Sequence, residues 1–126
     1  MRRETSRWVE KAEDDFHGAH LLANKSAELH DLTCFHCQQC AEKYLKSLLV
    51  ELRIDPPRTH NLQELMGHLR PHHPSLKVPR RSLAMLTRFA VTTRYPIHNA
   101  SKRQAVATLR LATQIRAECR RLLGIR

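Results

Sequence analysis

Phe35-His36-Cys37-Gln38-Gln39-Cys40-Ala41-Glu42-Lys43-Tyr44-Leu45-Lys46-Ser47-Leu48-Leu49 decides how the rest of the chain is read. It contains no glycine or proline. Its apolar residues recur at the three- and four-residue steps of a helix, not at the alternation of a strand. Extended on both sides, the stripe Cys34, Cys37, Ala41, Tyr44, Leu45, Leu48 and Leu52 predicts a helix over residues 31–53. Asp31 can cap its start. Pro56-Pro57 is expected to end it, because proline has no N–H to continue the ladder.

The same periodicity extends to both sides. Trp8, Val9, Ala12, Phe16, Ala19 and Ala23 predict a first helix over 6–24, with Ser6 as its N-cap and Gly18 weakening its middle. Asn61 followed by Glu64 resembles a capping box opening a short third helix, whose buried side is Leu62, Leu65 and Leu69. Pro71 and Pro74 break the chain, and a linker runs to about Lys77. Pro79 is placed to open a fourth helix with Leu83, Leu86 and Ala90 inward and Pro96 as its stop. Tyr95, before that proline, should be extended. Ser101 and Gln104 form a capping box for the last helix, whose inner stripe is Ala105, Thr108, Ala112, Ile115, Cys119 and Leu122, with Gly124 as its stop. With only three glycines in 126 residues, no repeat and short connections, the expectation is an all-α protein. Its architecture would be an antiparallel up-and-down bundle of four to five helices in one domain over residues 1–126.

Charge is distributed unevenly. Residues 1–63 carry 9 Lys/Arg against 10 Asp/Glu, whereas residues 64–126 carry 13 against 2, so the net charge of +10 lies in the second half. Such asymmetry suggests an anionic partner, nucleic acid first. On the last helix Arg103, Arg110 and Arg121 line up opposite the apolar stripe. Lys102, Arg116 and Arg120 widen that face, and Arg80, Arg81 and Arg88 are placed to extend it. A solvated face and an anion-binding face are both open readings; the scarcity of acids in the same half favours the second. No aromatic residue is interleaved there, so base stacking and sequence-specific reading are not expected from it. No apolar run approaches the roughly 18 residues that cross a bilayer. The charged start shows no signal peptide, so a cytoplasmic, reducing compartment is expected.

Cys34, Cys37 and Cys40 resemble an iron–sulfur ligand run, yet they lie on one continuous helix and within or beside its apolar stripe. Packing as small hydrophobes is the stronger reading, with no metal and no cofactor implied. Asp15 and Gln38 are polar residues at the edges of apolar faces and need partners. Interhelical hydrogen bonds would supply them, as would a polar pocket shared with the turn Arg94-Tyr95-Pro96-Ile97-His98-Asn99. In that turn Arg94 can hold a phosphate through its planar fork, His98 can move a proton near neutral pH, and Tyr95 can stack or donate. Arg plus His without a metal suits RNA cleavage in which the ribose 2′-hydroxyl attacks.

Residues 35–49 resemble the F-x-x-Q-Q-x-A-E-K-x-L-K-A-L-L signature of HEPN domains, named for higher eukaryotes and prokaryotes nucleotide-binding. Thr59-His60-Asn61-Leu62 resembles the T-H-x-L that follows in that family. Asp15-Phe16 with Ala19 resembles its D-L-x-x-A, and Arg94-Tyr95-Pro96 its R-Y-P. The matches keep the family's order over about residues 12–96. The resemblance implies a prokaryotic helical bundle, commonly a homodimer, that works beside a small nucleotidyltransferase. In some relatives it implies a metal-independent ribonuclease toxin of a toxin–antitoxin pair. Active relatives carry Arg, four to six residues, then His. Here Arg94 and His98 have three residues between them, Arg88 has no suitably placed His, and Ala100 stands where some relatives carry Tyr. Cys40 occupies the family's small position, which implies packing.

The first expectation is therefore a HEPN-like protein that binds nucleotide or RNA through Asp15, Gln38, Tyr95, Arg103, Arg110 and Arg121 and acts with a nucleotidyltransferase partner. The alternatives are a ribonuclease toxin with Arg94 and His98 as catalytic residues, and an adaptor whose basic face docks an acidic protein.

Overall fold

The computed structural model of the chain describes residues 1–25, 29–91 and 99–126. Five α-helices follow one another: α1 (Arg3–Lys25), α2 (His30–Glu51), α3 (Leu62–Leu69), α4 (Arg80–Thr87) and α5 (Lys102–Leu123), with a 3-10 turn at Arg88–Ala90 behind α4. Among the described residues there is no strand. Side-chain contacts fix the directions. Thr5 reaches Glu51 while Asp15 reaches Lys43 and His36, so α1 and α2 run antiparallel. Cys34 meets Thr108 and Tyr44 meets Arg120, so α2 and α5 run parallel. Between them α3 and α4, joined by a linker through Pro71, Pro74 and Pro79, fold back on each other, the Leu62 N–H at the start of α3 meeting the Thr87 hydroxyl at the end of α4. The result is the expected up-and-down bundle, with five helices among the described residues.

α2 is the axis. It packs on α1, α5 and α3, and its burial extends well beyond the single predicted stripe, to Cys40, Leu49 and Val50. A helix enclosed on several sides has to be apolar on several sides, which this one is. Leu45, Leu48 and Leu49 are buried, and each such side chain contributes about 1.5–3 kcal/mol. The main core joins them to Val9, Ala12, Leu62, Leu65, Leu69, Leu83, Leu86 and Ile115. The linker after α3 also enters it, because Leu76 and Val78 are buried between its exposed prolines.

The helix ends show where tertiary structure overrides local sequence. α1 starts at Arg3, and Ser6 lies inside it. Glu51 ties this start down: its carboxylate accepts from the Arg2 backbone N–H at 2.9 Å and from the Thr5 hydroxyl at 2.8 Å. Asp31 does not cap α2; it lies in the first turn and accepts from the backbone N–H of Ala100, tying the start of α2 to the chain leading into α5. α2 ends before Pro56-Pro57. Arg53 adopts φ 62°, its N–H reaches the Val50 carbonyl, and the Ile54 N–H reaches the Leu49 carbonyl. This is a Schellman ending with arginine in the position that usually takes glycine. Asn61 caps α3 as expected, accepting from Gln63 and Glu64. The reciprocal bond to its own N–H comes from Thr59, not from Glu64. The Ser101–Gln104 box and the left-handed Gly124 are both formed. α4 is α-helical only to Thr87, whose hydroxyl accepts from the Leu62 N–H and so helps close the start of α3.

Candidate functional site

The polar residues of α2 form a clasp against its neighbours. Asp15, buried on α1, accepts from His36 Nδ1 at 2.8 Å and from Lys43 Nζ at 2.6 Å. Elsewhere on α2, Glu42 serves a second cluster. Its Oε1 accepts from Gln38 Nε2 at 3.2 Å and from His60 Nδ1 at 2.8 Å, and its Oε2 accepts from Lys46 Nζ at 3.0 Å. Gln38 is wholly buried; it also donates to the His60 carbonyl at 3.1 Å and accepts from Gln39 at 2.7 Å. A carboxylate can only accept, so His36 and His60 carry a proton on Nδ1 in these bonds.

Asp15 and Gln38 thus belong to two separate clusters, with no hydrogen bond between them. The interhelical bonding expected for Asp15 is present, through His36 and Lys43. Gln38 bonds within its own helix and to the loop before α3. Sequence reading places Glu42, Lys43, Lys46 and His60 within the motifs that resemble the HEPN signature but assigns none of them to a site. The available signal is Gln38, Glu42 and Lys46 at four-residue steps inside an otherwise apolar helix, a spacing that puts them in contact.

A third cluster joins α1, α2 and α5. Glu13 accepts a two-pronged pair from Arg116, at 2.7 Å from Nε and 2.8 Å from Nη2, and a further bond from the Tyr44 hydroxyl. Arg120 approaches at 3.6 Å. The Arg116 guanidinium, above all, drops the Glu13 pKa from its ordinary 4.5 to about 2. The Tyr44 hydroxyl titrates above its usual range, first because it is buried and then because it donates to Glu13.

The arginines of α5 therefore divide. Arg116 and Arg120, expected on the open basic face, are committed to Glu13 and half-buried, and Arg116 also lies over the Phe16 ring at 4.4 Å. Arg103, Arg110 and Arg121 are exposed. Arg121 is paired with Glu118 at 2.7 Å, whereas Arg103 and Arg110 enter no ion pair among the described residues. Arg94, Tyr95 and His98 lie outside the described residues.

The cysteines are core residues. All four are free and buried. Burial raises the thiols of Cys34, Cys40 and Cys119 above the usual range and pushes Cys37 up to about 12. Such thiols are poor nucleophiles and poor ligands. Cys34 accepts a hydrogen bond from Thr108 at 3.4 Å. Among the described residues no group of His, Cys, Asp and Glu is arranged to hold a metal, and no helix is long and apolar enough to cross a membrane.

The family model described as HEPN domain matches residues 5–122. Three crystal structures are similar in fold. TT1696 from Thermus thermophilus has a TM-score of 0.79 at 24% identity, over 95% of this chain and 98% of that one. ST0689, an archaeal HEPN homologue, has a TM-score of 0.70 at 25% identity, over 95% and 97%. A HEPN domain protein from Thermotoga maritima has a TM-score of 0.71 at 18% identity, over 94% and 98%. No curated protein sequence matches the chain.

Proposed function

The chain belongs to the HEPN domain family, and from that premise we propose that it is a single-domain RNA- or nucleotide-binding protein that holds phosphate on the exposed face of α5. The observation that carries this reading is the pair Arg103 and Arg110. They are exposed and free of acidic partners among the described residues, in a half-chain with 13 basic and 2 acidic residues. Arg121 stands on the same line, held by Glu118. Seven residues separate Arg103 from Arg110, two turns or roughly 10 Å of helix rise, a distance over which two phosphates of one strand can be reached. With no aromatic residue on that face, binding there is electrostatic and sequence-tolerant.

The partner that fits the family resemblance is a small nucleotidyltransferase, and the working state a homodimer in a prokaryotic cytoplasm. Fluorescence anisotropy with a labelled single-stranded RNA tests the binding. Affinity falls with salt, and Arg103→Ala with Arg110→Ala lowers the log–log salt slope by about 1.4, at roughly 0.7 per phosphate contact. Salt-independent binding, or a slope unchanged in the double variant, rejects the α5 face. Co-expression with the neighbouring reading frame and co-purification tests the partner.

A further inference from the structure

We propose that the indole of Trp8 is the floor of a second, separate nucleotide site, stacking a base while the cations around it hold the attached phosphate. The sequence places Trp8 in the apolar stripe of α1, but the buried stripe there is Thr5, Val9, Ala12, Asp15 and Ala19. Trp8 lies beside it, exposed enough to line an open cleft at the α1–α2 seam. That cleft, of about 230 Å³, is lined by Glu4, Arg7, Trp8, Lys11 and Lys43, and its surface is almost wholly carbon. Whole-ligand pockets run from roughly 300 Å³ upward. This cleft takes one flat ring and leaves the rest of the ligand on the rim.

The rim is cationic, with its groups already oriented. Lys43 is held by Asp15 in a single ion pair that leaves ammonium donors unused. Lys46, buried and paired with Glu42, stands 5.7 Å from the Trp8 ring centroid but does not line the cleft. Arg7 and Lys11 enter no ion pair among the described residues. Glu4 is the one carboxylate among the lining residues. An aromatic face ringed by amines and a guanidinium is the combination that binds unpaired nucleotides, the ring taking the base and the cations the phosphate. Trp8 and Glu13 are five residues apart on α1, about 140° around the helix, so this face points away from the seam with α5. The α5 arginines have no part in it.

The shared chemistry is a base with a 5′-phosphate, from a free nucleotide or from a residue of single-stranded RNA. Trp8 is the sole tryptophan, so its fluorescence, excited at about 295 nm, reports the site directly. The full chain is titrated with ATP, an oligo(A) RNA, adenosine and inorganic tripolyphosphate. Saturable quenching by ATP identifies the free nucleotide as ligand, and saturable quenching by oligo(A) alone identifies the RNA. Adenosine binds more weakly, and tripolyphosphate does not quench. Arg7→Ala with Lys11→Ala weakens the quenching constant about fivefold, and Glu4→Gln strengthens it about twofold, opposite signs that a packing role for these residues would not produce. Far-UV circular dichroism confirms that both variants keep the fold. No saturable quenching by ATP or oligo(A), or equal constants in wild type and the Arg7/Lys11 variant, overturns the assignment. RNA anisotropy kept with Trp8 quenching absent is a failure of this site alone; the reverse is a failure of the α5 face alone.

Discussion

Glu13→Gln removes the charge at the junction of α1, α2 and α5 while keeping the side chain's shape. The wild-type carboxylate accepts from Arg116 at 2.7 and 2.8 Å and from the Tyr44 hydroxyl, and its pKa falls from 4.5 to about 2. A depressed carboxylate pKa contributes stability that is full above the unfolded value, near 4.5, and is lost as pH falls through the folded value, near 2. At face value the shift is worth about 3.4 kcal/mol at 1.36 kcal/mol per unit. The carboxylate keeps about a fifth of its side chain exposed, and solvent screening reduces the contribution to about 1–2 kcal/mol. Urea unfolding of wild type and Glu13→Gln should therefore differ by about 1–2 kcal/mol at pH 7. Because the glutamine does not titrate, the gap should shrink as the wild type protonates, to less than about a fifth of its pH 7 value at pH 3. A gap of the same size at both pH values would refute the ionic account and leave only shape and hydrogen bonding. No gap at pH 7 would show that the three-helix junction contributes nothing to stability.

Three further predictions concern other parts of the fold. Glu42→Ala leaves Lys46 charged in a site where its side chain is 9% exposed and removes the acceptor of Gln38 and His60, so it should cost about 3 kcal/mol in urea unfolding. Glu42→Gln keeps an acceptor but loses the charge, so it should retain a large part of that cost, and a negligible loss in this variant would contradict a role for the ion pair. Arg53 holds φ 62°, so Arg53→Gly should raise stability by about 0.5–1 kcal/mol, read as a higher urea midpoint at unchanged slope. The four buried thiols should react with Ellman's reagent in native buffer far more slowly than in urea. A stoichiometric fast phase in native buffer would show that at least one of them is accessible.

The elements legible in the sequence are those whose signals are local. Ser101 and Gln104 lie three residues apart and close a capping box with each other, so nothing outside the segment decides the start of α5. The α2 stripe is legible for a similar reason: a run without glycine or proline at helical spacing has one low-energy conformation. Ser6 misleads because the start of α1 is tied down at Arg2 and Thr5 by Glu51, a side chain 46 residues from Thr5. The end of α2 falls where the sequence puts it, but the stop is Arg53 and not Pro56-Pro57, and arginine carries no compositional mark for the left-handed region. Trp8 reads as core because periodicity gives an angle around α1 but not the width of the neighbouring helix.

The candidate site is legible only in its residue types, and the reason lies in what its residues bind. Motifs separated along the chain meet in the clasp: Asp15 binds Lys43, and Glu42 binds His60. The polar residues of the family signature, in its described part, thus bond one another around the buried Asp15, Gln38 and Glu42, and buried polar groups fix which faces meet. That matters for the placement of charge. Summing by half-chain assigns every arginine of α5 to a basic surface, yet Glu13, from the near-neutral half, removes Arg116 and Arg120 from it. Arg7 and Lys11 gain in the opposite sense. They sit in the half with no net excess, yet they line the Trp8 cleft and enter no ion pair among the described residues. Charge available to a phosphate is a property of a surface, set by which side chains already have partners. By that measure the α5 line and the Trp8 cleft stand on comparable footing, although sequence arithmetic points only to the first.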